Sequence, residues 1–224
     1  LVVRATERAK LDPALGRFLA AIAQYTVLAA GVIASLGAFG IQTTSVTAVF
    51  ASAGIAIGLA LQGSLSNFAA GVMILFFRPF QLGDVISAGG VTGVVKDIGL
   101  FASTTVTPEN HKNIVPNGAI TGGNITNFTA LGTRRGGIDF GVAYGEDLKR
   151  TQEVVLAAIA TFDLVHAEPA PAVAFTEMAA SSLNFKALCW CDAADFLAMQ
   201  HQVRSAIYDA LNEAGIEIPF DQVV

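Results

Sequence analysis

Residues 42–84 read QTTSVTAVFASAGIAIGLALQGSLSNFAAGVMILFFRPFQLGD, and this stretch decides the fold. Its portion 46–77 carries no charged side chain. As one straight helix that portion would be about 48 Å long at 1.5 Å per residue, against a hydrocarbon core of about 30 Å. The sequence therefore predicts a break. Gln62-Gly63-Ser64-Leu65-Ser66-Asn67 supplies a glycine and capping residues in mid-run, and Gly71 is a second weak point. The expectation is a spanning helix over 46–62, a kink near Gly63 and a shorter interfacial helix over 64–77, stopped by Arg78-Pro79.

Working outward, residues 18–41 form a second apolar stretch, 24 residues long and sufficient to span a bilayer. The polar cluster Gln42-Thr43-Thr44-Ser45 between the two reads as a turn and helix N-cap. From Arg17 to Arg78 there are sixty residues without Asp, Glu, Lys or Arg. From Arg78 onward, 9 basic and 16 acidic residues occupy 147 positions, close to an ordinary soluble composition. Across all 224 residues only 14% are charged, against about 25% in a typical soluble domain. With a net charge of −5, disorder, a disulfide scaffold and a nucleic-acid-binding domain are poor fits. A membrane protein with a soluble C-terminal half remains. A start at Leu1 rather than Met points to further spans upstream.

Arg4, Arg8, Lys10 and Arg17 precede the first span and Arg78 follows the second. Basic flanks favour the cytoplasmic side, so the C-terminal half is expected in the cytoplasm and the turn at 42–45 outside. At about 100° per residue, the second span shows two small-residue faces, Gly54 with Gly58 and Ala56 with Ala60. Ile55 and Leu59 form a narrow stripe between them, while Phe50, Ile57 and Leu61 fall on another side. Small residues let helices approach closely in lipid. Two such faces fit a helix with a neighbour on each side, a head-to-tail arrangement that closes into a ring. Ile55 and Leu59 then point at the axis, where an aliphatic constriction closes a pore by dewetting.

These residues resemble the bacterial small-conductance mechanosensitive channel (MscS) family. The quoted stretch carries the likeness, together with GGVTGVVKDIGLFASTT and IVPNGAITGGNITNF further on. It runs from about Lys10 to the end of the chain and is densest over 42–127. The resemblance implies a homoheptamer in the bacterial inner membrane whose last membrane helices line the pore. It places the two constriction rings on Ile55 and Leu59, the helix-break glycine on Gly63 and a second hinge on Gly71. Phe18, Leu61 and Leu65 match positions that pass tension from the lipid-facing span to the pore helix. Ala38 and Gln81 stand where the family often has basic residues, leaving Arg78 for any electrostatic tie to the loop around Asp12. Val224 falls where the family's C-terminal strands begin a small barrel.

In the soluble half, short mixed segments at 85–88, 91–95, 101–107 and 112–115 alternate with Gly89-Gly90, Pro108-Glu109-Asn110 and Pro116-Asn117-Gly118 turns. They predict a small all-β barrel of the Sm/OB type over 79–131. A composition change at 132–137 precedes strand 138–144, helix 146–162 with acidic residues in its first turn, strands 172–178 and 183–190, and helix 194–215 stopped by Gly215. That order is ferredoxin-like, for a domain over 132–224. Transmembrane residues 1–78 complete the division into three.

No phosphate-binding glycine loop, G-x-S-x-G or metal-spaced His/Cys set occurs, so neither an enzyme nor a cofactor is expected. Cys189 and Cys191 share a strand face and read as inert reduced thiols, and Arg134-Arg135 as a solvated surface pair. The expected function is a channel opened by membrane tension that releases small ions and solutes on hypo-osmotic shock. Its partners would be further copies of itself, lipid and the permeating ions, with no nucleic acid. The alternatives are a ligand- or ion-gated channel of the same architecture and a non-conducting membrane scaffold.

Overall fold

A computed structural model describes residues 13–220. The flanking Arg4, Arg8, Lys10 and Asp12, and the C-terminal Val224, lie outside the described residues. The chain forms two compact units that divide between Leu65 and Ser66.

The first unit holds α1 (Pro13–Ala38) and the N-terminal part of α2 (Thr44–Phe77). Both helices are long and apolar enough to cross a membrane. Helix α1 stops three residues before the end of its apolar run because Gly40 takes φ +77°. There the Ile41 N–H donates to the Leu36 carbonyl at 3.1 Å and the Gly40 N–H to that of Gly37 at 3.0 Å, a Schellman closure. Hydroxyl groups inside the spans are satisfied locally. Thr26 and Ser35 in α1, and Thr47 and Ser52 near the start of α2, each donate to the carbonyl four residues back at 2.8–3.0 Å. That pairing suits a medium without water.

Helix α2 is continuous from Thr44 to Phe77, with no break at Gly63, where the sequence predicts one. A glycine weakens a helix, but only a proline removes its hydrogen bond, and none stands there. The helix ends where Arg78 enters the left-handed region at φ +50° ahead of Pro79.

The second unit contains two sheets with separate cores. Strands β1 (Val85–Ala88), β2 (Val91–Ile98), β3 (Ala102–Val106), β4 (Lys112–Pro116) and β5 (Thr126–Asn127) form an antiparallel sheet in the order β4-β3-β2-β1-β5. Gly89 and Gly90, at φ +58° and +80°, make the two-residue β1–β2 turn that only such residues adopt without strain. Pro116-Asn117-Gly118, expected as a turn, opens a short helix α3 (Asn117–Thr121). Ile86, Val95, Val115 and Ile120 pack with Phe80 and with Ile74 of α2, so the C-terminal end of α2 is part of this core.

The second sheet is antiparallel in the order β6-β8-β7, from β6 (Thr133–Val142), β7 (Ala172–Met178) and β8 (Leu183–Asp192). Helices α4 (Leu148–Ile159) and α5 (Phe196–Glu213) supply the other half of its core, completing the expected ferredoxin-like order. Every second residue of β8, from Leu183 to Cys191, is buried. Both cysteines are therefore reduced core residues, and burial, reinforced by Cys191, pushes the Cys189 thiol up to about 11.

Several expectations need correction here. Residues 133–137 belong to β6 and pair in register with β8 as far as Thr133 opposite Asp192. Their glycines mark a close approach: a Cβ at Gly136 would meet the Met199 terminal methyl carbon at 2.8 Å. Helix α4 begins at Leu148, with Asp147 as an N-cap that accepts the Lys149 and Arg150 N–H groups, so no acidic residue lies in its first turn. Helix α5 ends at Glu213 and is stopped, as expected, by Gly215 at φ +65°, with the Ile216 N–H donating to the Leu211 carbonyl at 2.9 Å. Arg135 is exposed, as expected of a surface pair, but Arg134 is half-buried. The Arg134 guanidinium lies 3.5 Å from the Phe196 ring centroid and 4.8 Å from that of Phe128, and Arg135 lies 5.9 Å from the Trp190 centroid.

Candidate functional site

Helix α2 carries nearly every residue singled out from the sequence. Gly54 and Gly58 sit one turn apart, as do Ile55 and Leu59, and Ala56 and Ala60. Among the described residues none covers this face: Ile55 is 66% and Leu59 67% exposed. A Cβ added at Gly54, Gly58 or Gly63 would meet nothing within 4 Å. Phe18, Leu61 and Leu65 are exposed as well. The structure therefore places these residues on the predicted helices, with the Ile55, Leu59, Phe18, Leu61 and Leu65 side chains exposed.

Beyond Ser66 the same helix behaves differently. Asn67 is half-buried and Ala70, Gly71 and Ile74 are buried, a stripe at i, i+3, i+4 and i+7. This stripe docks on the β domain. The Asn67 side-chain oxygen accepts the Gly118 N–H at 2.8 Å. Gly71 allows the closest approach. A Cβ there would press onto the Leu100 carbonyl oxygen and lie 2.5 Å from Asn117 Nδ2. Phe68 and Phe101 pack with ring centroids 5.8 Å apart.

Asn117 is the keystone of the dock and is fully buried. Its Nδ2 donates to the Gly99 carbonyl at 2.8 Å, and its Oδ1 accepts from the Ser103 hydroxyl at 2.8 Å. Its backbone N–H donates to the Phe101 carbonyl at 3.0 Å. A buried amide with both ends paired fixes the 99–101 loop that α2 leans on. Sequence reading missed Asn117 and Ser103 and read Asn67 either as a cap for the kink or as a polar group facing protein or water. The available signal was the polar Asn67 heading an otherwise apolar stripe.

A second cluster secures the exit from α2. The Asp84 carboxylate accepts the Gln81 N–H, the Asn127 amide and the Thr129 hydroxyl, each at 2.8 Å. Burial pushes the Asp84 carboxyl up, but these three hydrogen bonds outweigh it and hold it below the ordinary carboxylate value. Among the described residues no cluster of His, Cys, Asp and Glu is arranged to hold a metal ion.

The comparisons with known proteins agree on one family. Residues 63–130 match the family description "Mechanosensitive ion channel, beta-domain", and residues 137–218 match "Mechanosensitive ion channel MscS, C-terminal". The small-conductance mechanosensitive channel of Edwardsiella ictaluri is 43% identical over 222 residues, covering 99% of this chain and 78% of that protein. The crystal structure of Helicobacter pylori MscS in its closed state superposes with a TM-score of 0.90 at 28% identity, covering 99% of this chain and 89% of that one. Arabidopsis thaliana MSL1, at 21% identity and a TM-score of 0.80, shares the fold. An apolar helix running out of a membrane unit into a β domain, followed by a ferredoxin-like domain, is thus matched in sequence and in structure, and the chain belongs to the MscS family of mechanosensitive membrane channels.

Proposed function

We propose that membrane tension opens this channel through a ring of α2 helices, seven of them by family resemblance, with Ile55 and Leu59 as its hydrophobic gate. The observation that carries the reading is the uncovered apolar span. Among the described residues none buries α2 over its membrane stretch, and its two small-residue faces flank the Ile55–Leu59 stripe. Neighbouring α2 helices cover the small faces, and lipid and α1 cover the remainder. In the closed ring the Ile55 and Leu59 side chains crowd the axis and exclude water.

Tension favours the state with the larger area in the membrane plane, so it stabilises a wider ring. Phe18, Leu61 and Leu65 transmit the change from the lipid-facing span to α2. Gly54, Gly58, Ala56 and Ala60 let neighbours slide, and Gly63, which has open space around it, is the hinge. For Gly71 to bend as a second hinge, its turn must first leave the Leu100 carbonyl, so it moves after Gly63. The C-terminal domains lie in the cytoplasm below the inner membrane, and the physiological task is release of small solutes when a cell swells.

The test is a patch-clamp recording of the full-length protein in liposomes under stepped suction. Unitary currents at reproducible tension are the expected result. Silence up to patch rupture from correctly assembled protein overturns tension gating and leaves a ligand-gated channel or a scaffold.

A further inference from the structure

The β domain and the ferredoxin-like domain have separate hydrophobic cores, and the chain between them is short. Its first part is tied to the β domain. The Phe128 N–H donates to the Val85 carbonyl at 2.9 Å, and the Asn127 side-chain oxygen accepts the Thr129 and Ala130 N–H groups, each at 3.0 Å. The Thr129 hydroxyl is held on Asp84. Its last part is tied to the other domain, where Gly132 accepts the Ala193 N–H at 2.8 Å. Between the two anchorages stands Leu131, 88% exposed, beside Gly132 at φ +74°. The Gly132 N–H donates back to the Thr129 carbonyl at 2.9 Å and closes the turn, so a change of angle between the two anchorages must open that bond and rotate the chain about Leu131 and the left-handed Gly132.

Arg134 bridges that point. Its α-carbon is in β6, and its guanidinium lies between Phe196 of α5, at 3.5 Å, and Phe128 on the β-domain side, at 4.8 Å. Phe196 belongs to the same domain as Arg134, so only the Phe128 contact crosses the pivot. A planar cation held between two half-buried rings is well suited as a clasp, because guanidinium stacks face to face where an ammonium does not. We infer that residues 130–132 are a pivot between the two cytoplasmic domains and that Arg134, clasped between Phe128 and Phe196, is the positioning residue that locks its angle. Since α2 docks on the β domain, this clasp also sets the angle at which the ferredoxin-like domain hangs from the pore helix's end. Arg135, whose Trp190 contact stays inside one domain, has no such role.

Hydrogen–deuterium exchange on the full, assembled channel tests this with Arg134→Met, Arg135→Met and Phe128→Leu. Arg134→Met is expected to speed exchange across 128–134 about tenfold, the loss of one desolvated cation–π contact, while β2, β3 and β8 stay protected. Arg135→Met is expected to leave 128–134 at the wild-type rate. Wild-type exchange at 128–134 in Arg134→Met, or an equal effect from Arg135→Met, overturns the clasp. If Arg134→Met also strips protection from β8, Phe128→Leu decides, because it removes only the contact across the pivot. Faster exchange at 128–134 in Phe128→Leu supports the clasp, and an unchanged rate overturns it.

Discussion

The side-chain oxygen of Asn67 accepts the backbone N–H of Gly118 at 2.8 Å, joining α2 to the first turn of α3 across 51 positions of sequence. That bond, and the Gly71–Leu100 approach one turn later, fasten the end of α2 to the β domain. Any movement of this part of the helix must either carry the β domain along or break the dock.

The glycines of α2 separate two physical roles. Gly71→Ala puts a methyl group against the Leu100 backbone, which cannot yield as a flexible side chain would. Overpacking of this kind costs about 1–3 kcal/mol, so the β domain should unfold at lower temperature and α2 should dock less tightly. Thermal unfolding of the purified protein, followed by protease sensitivity of 66–80, checks this.

Gly63→Ala meets open space and should leave thermal stability unchanged or slightly higher, since alanine favours a helix by about 1 kcal/mol over glycine. Its expected effect is on gating: a stiffer α2 slows closing or alters desensitisation under sustained suction. Wild-type kinetics in patch recordings would remove Gly63 from the hinge role.

Replacing Leu59 with Ser makes the Ile55–Leu59 stripe wettable. The expected outcome is a lower tension threshold than wild type, with a further decrease when Ile55→Ser is added. An unchanged threshold in both variants, recorded in the same liposomes, counts against a hydrophobic gate at this level.

Asn117→Ala removes both partners of a buried pair at once, leaving the Gly99 carbonyl and the Ser103 hydroxyl without their bonds. Unpaired buried groups cost about 1–3 kcal/mol. Ser103→Ala removes one partner and should cost less. Denaturant unfolding of the two single variants and the double variant is the measurement, and a non-additive double is expected because the bonds share one amide.

Acid should loosen the exit from α2. The folded carboxyl of Asp84 is held below its unfolded value of about 3.9, so its stabilising contribution is complete above that pH. The contribution is lost as pH falls through the lower folded value. Asp84→Asn should lower the melting temperature at neutral pH and flatten the further decline on acidification. Melting curves of the two proteins between pH 7 and acid will show whether they converge.

How much was legible in the sequence differs from element to element. The ferredoxin-like order and the Gly215 stop are written in local signals: period-two alternation along β8, an amphipathic α5, and a glycine where a left-handed turn is needed. The Ile55–Leu59 stripe follows from the helical period alone, and its exposure in the single chain leaves that stripe for lipid or other copies. Residues 133–137 fall outside the strand expected from 138 because glycine-rich sequence weakens a strand on local grounds. Only pairing with β8 and the space taken by Met199 show why Gly136 is there.

What the sequence by itself determined is the set of features with a short-range cause: two apolar spans, their small-residue faces, the helix stops and the charge change at Arg78. The uninterrupted α2, the Asn67–Gly118 and Gly71–Leu100 dock, the buried Asn117 hub and the Arg134 stack between Phe128 and Phe196 were decided only by the tertiary structure. Each of these features except the unbroken helix depends on at least one contact between residues well separated in the chain, which no local periodicity encodes. In α2 the helix runs on past Gly63, where no proline removes a hydrogen-bond donor.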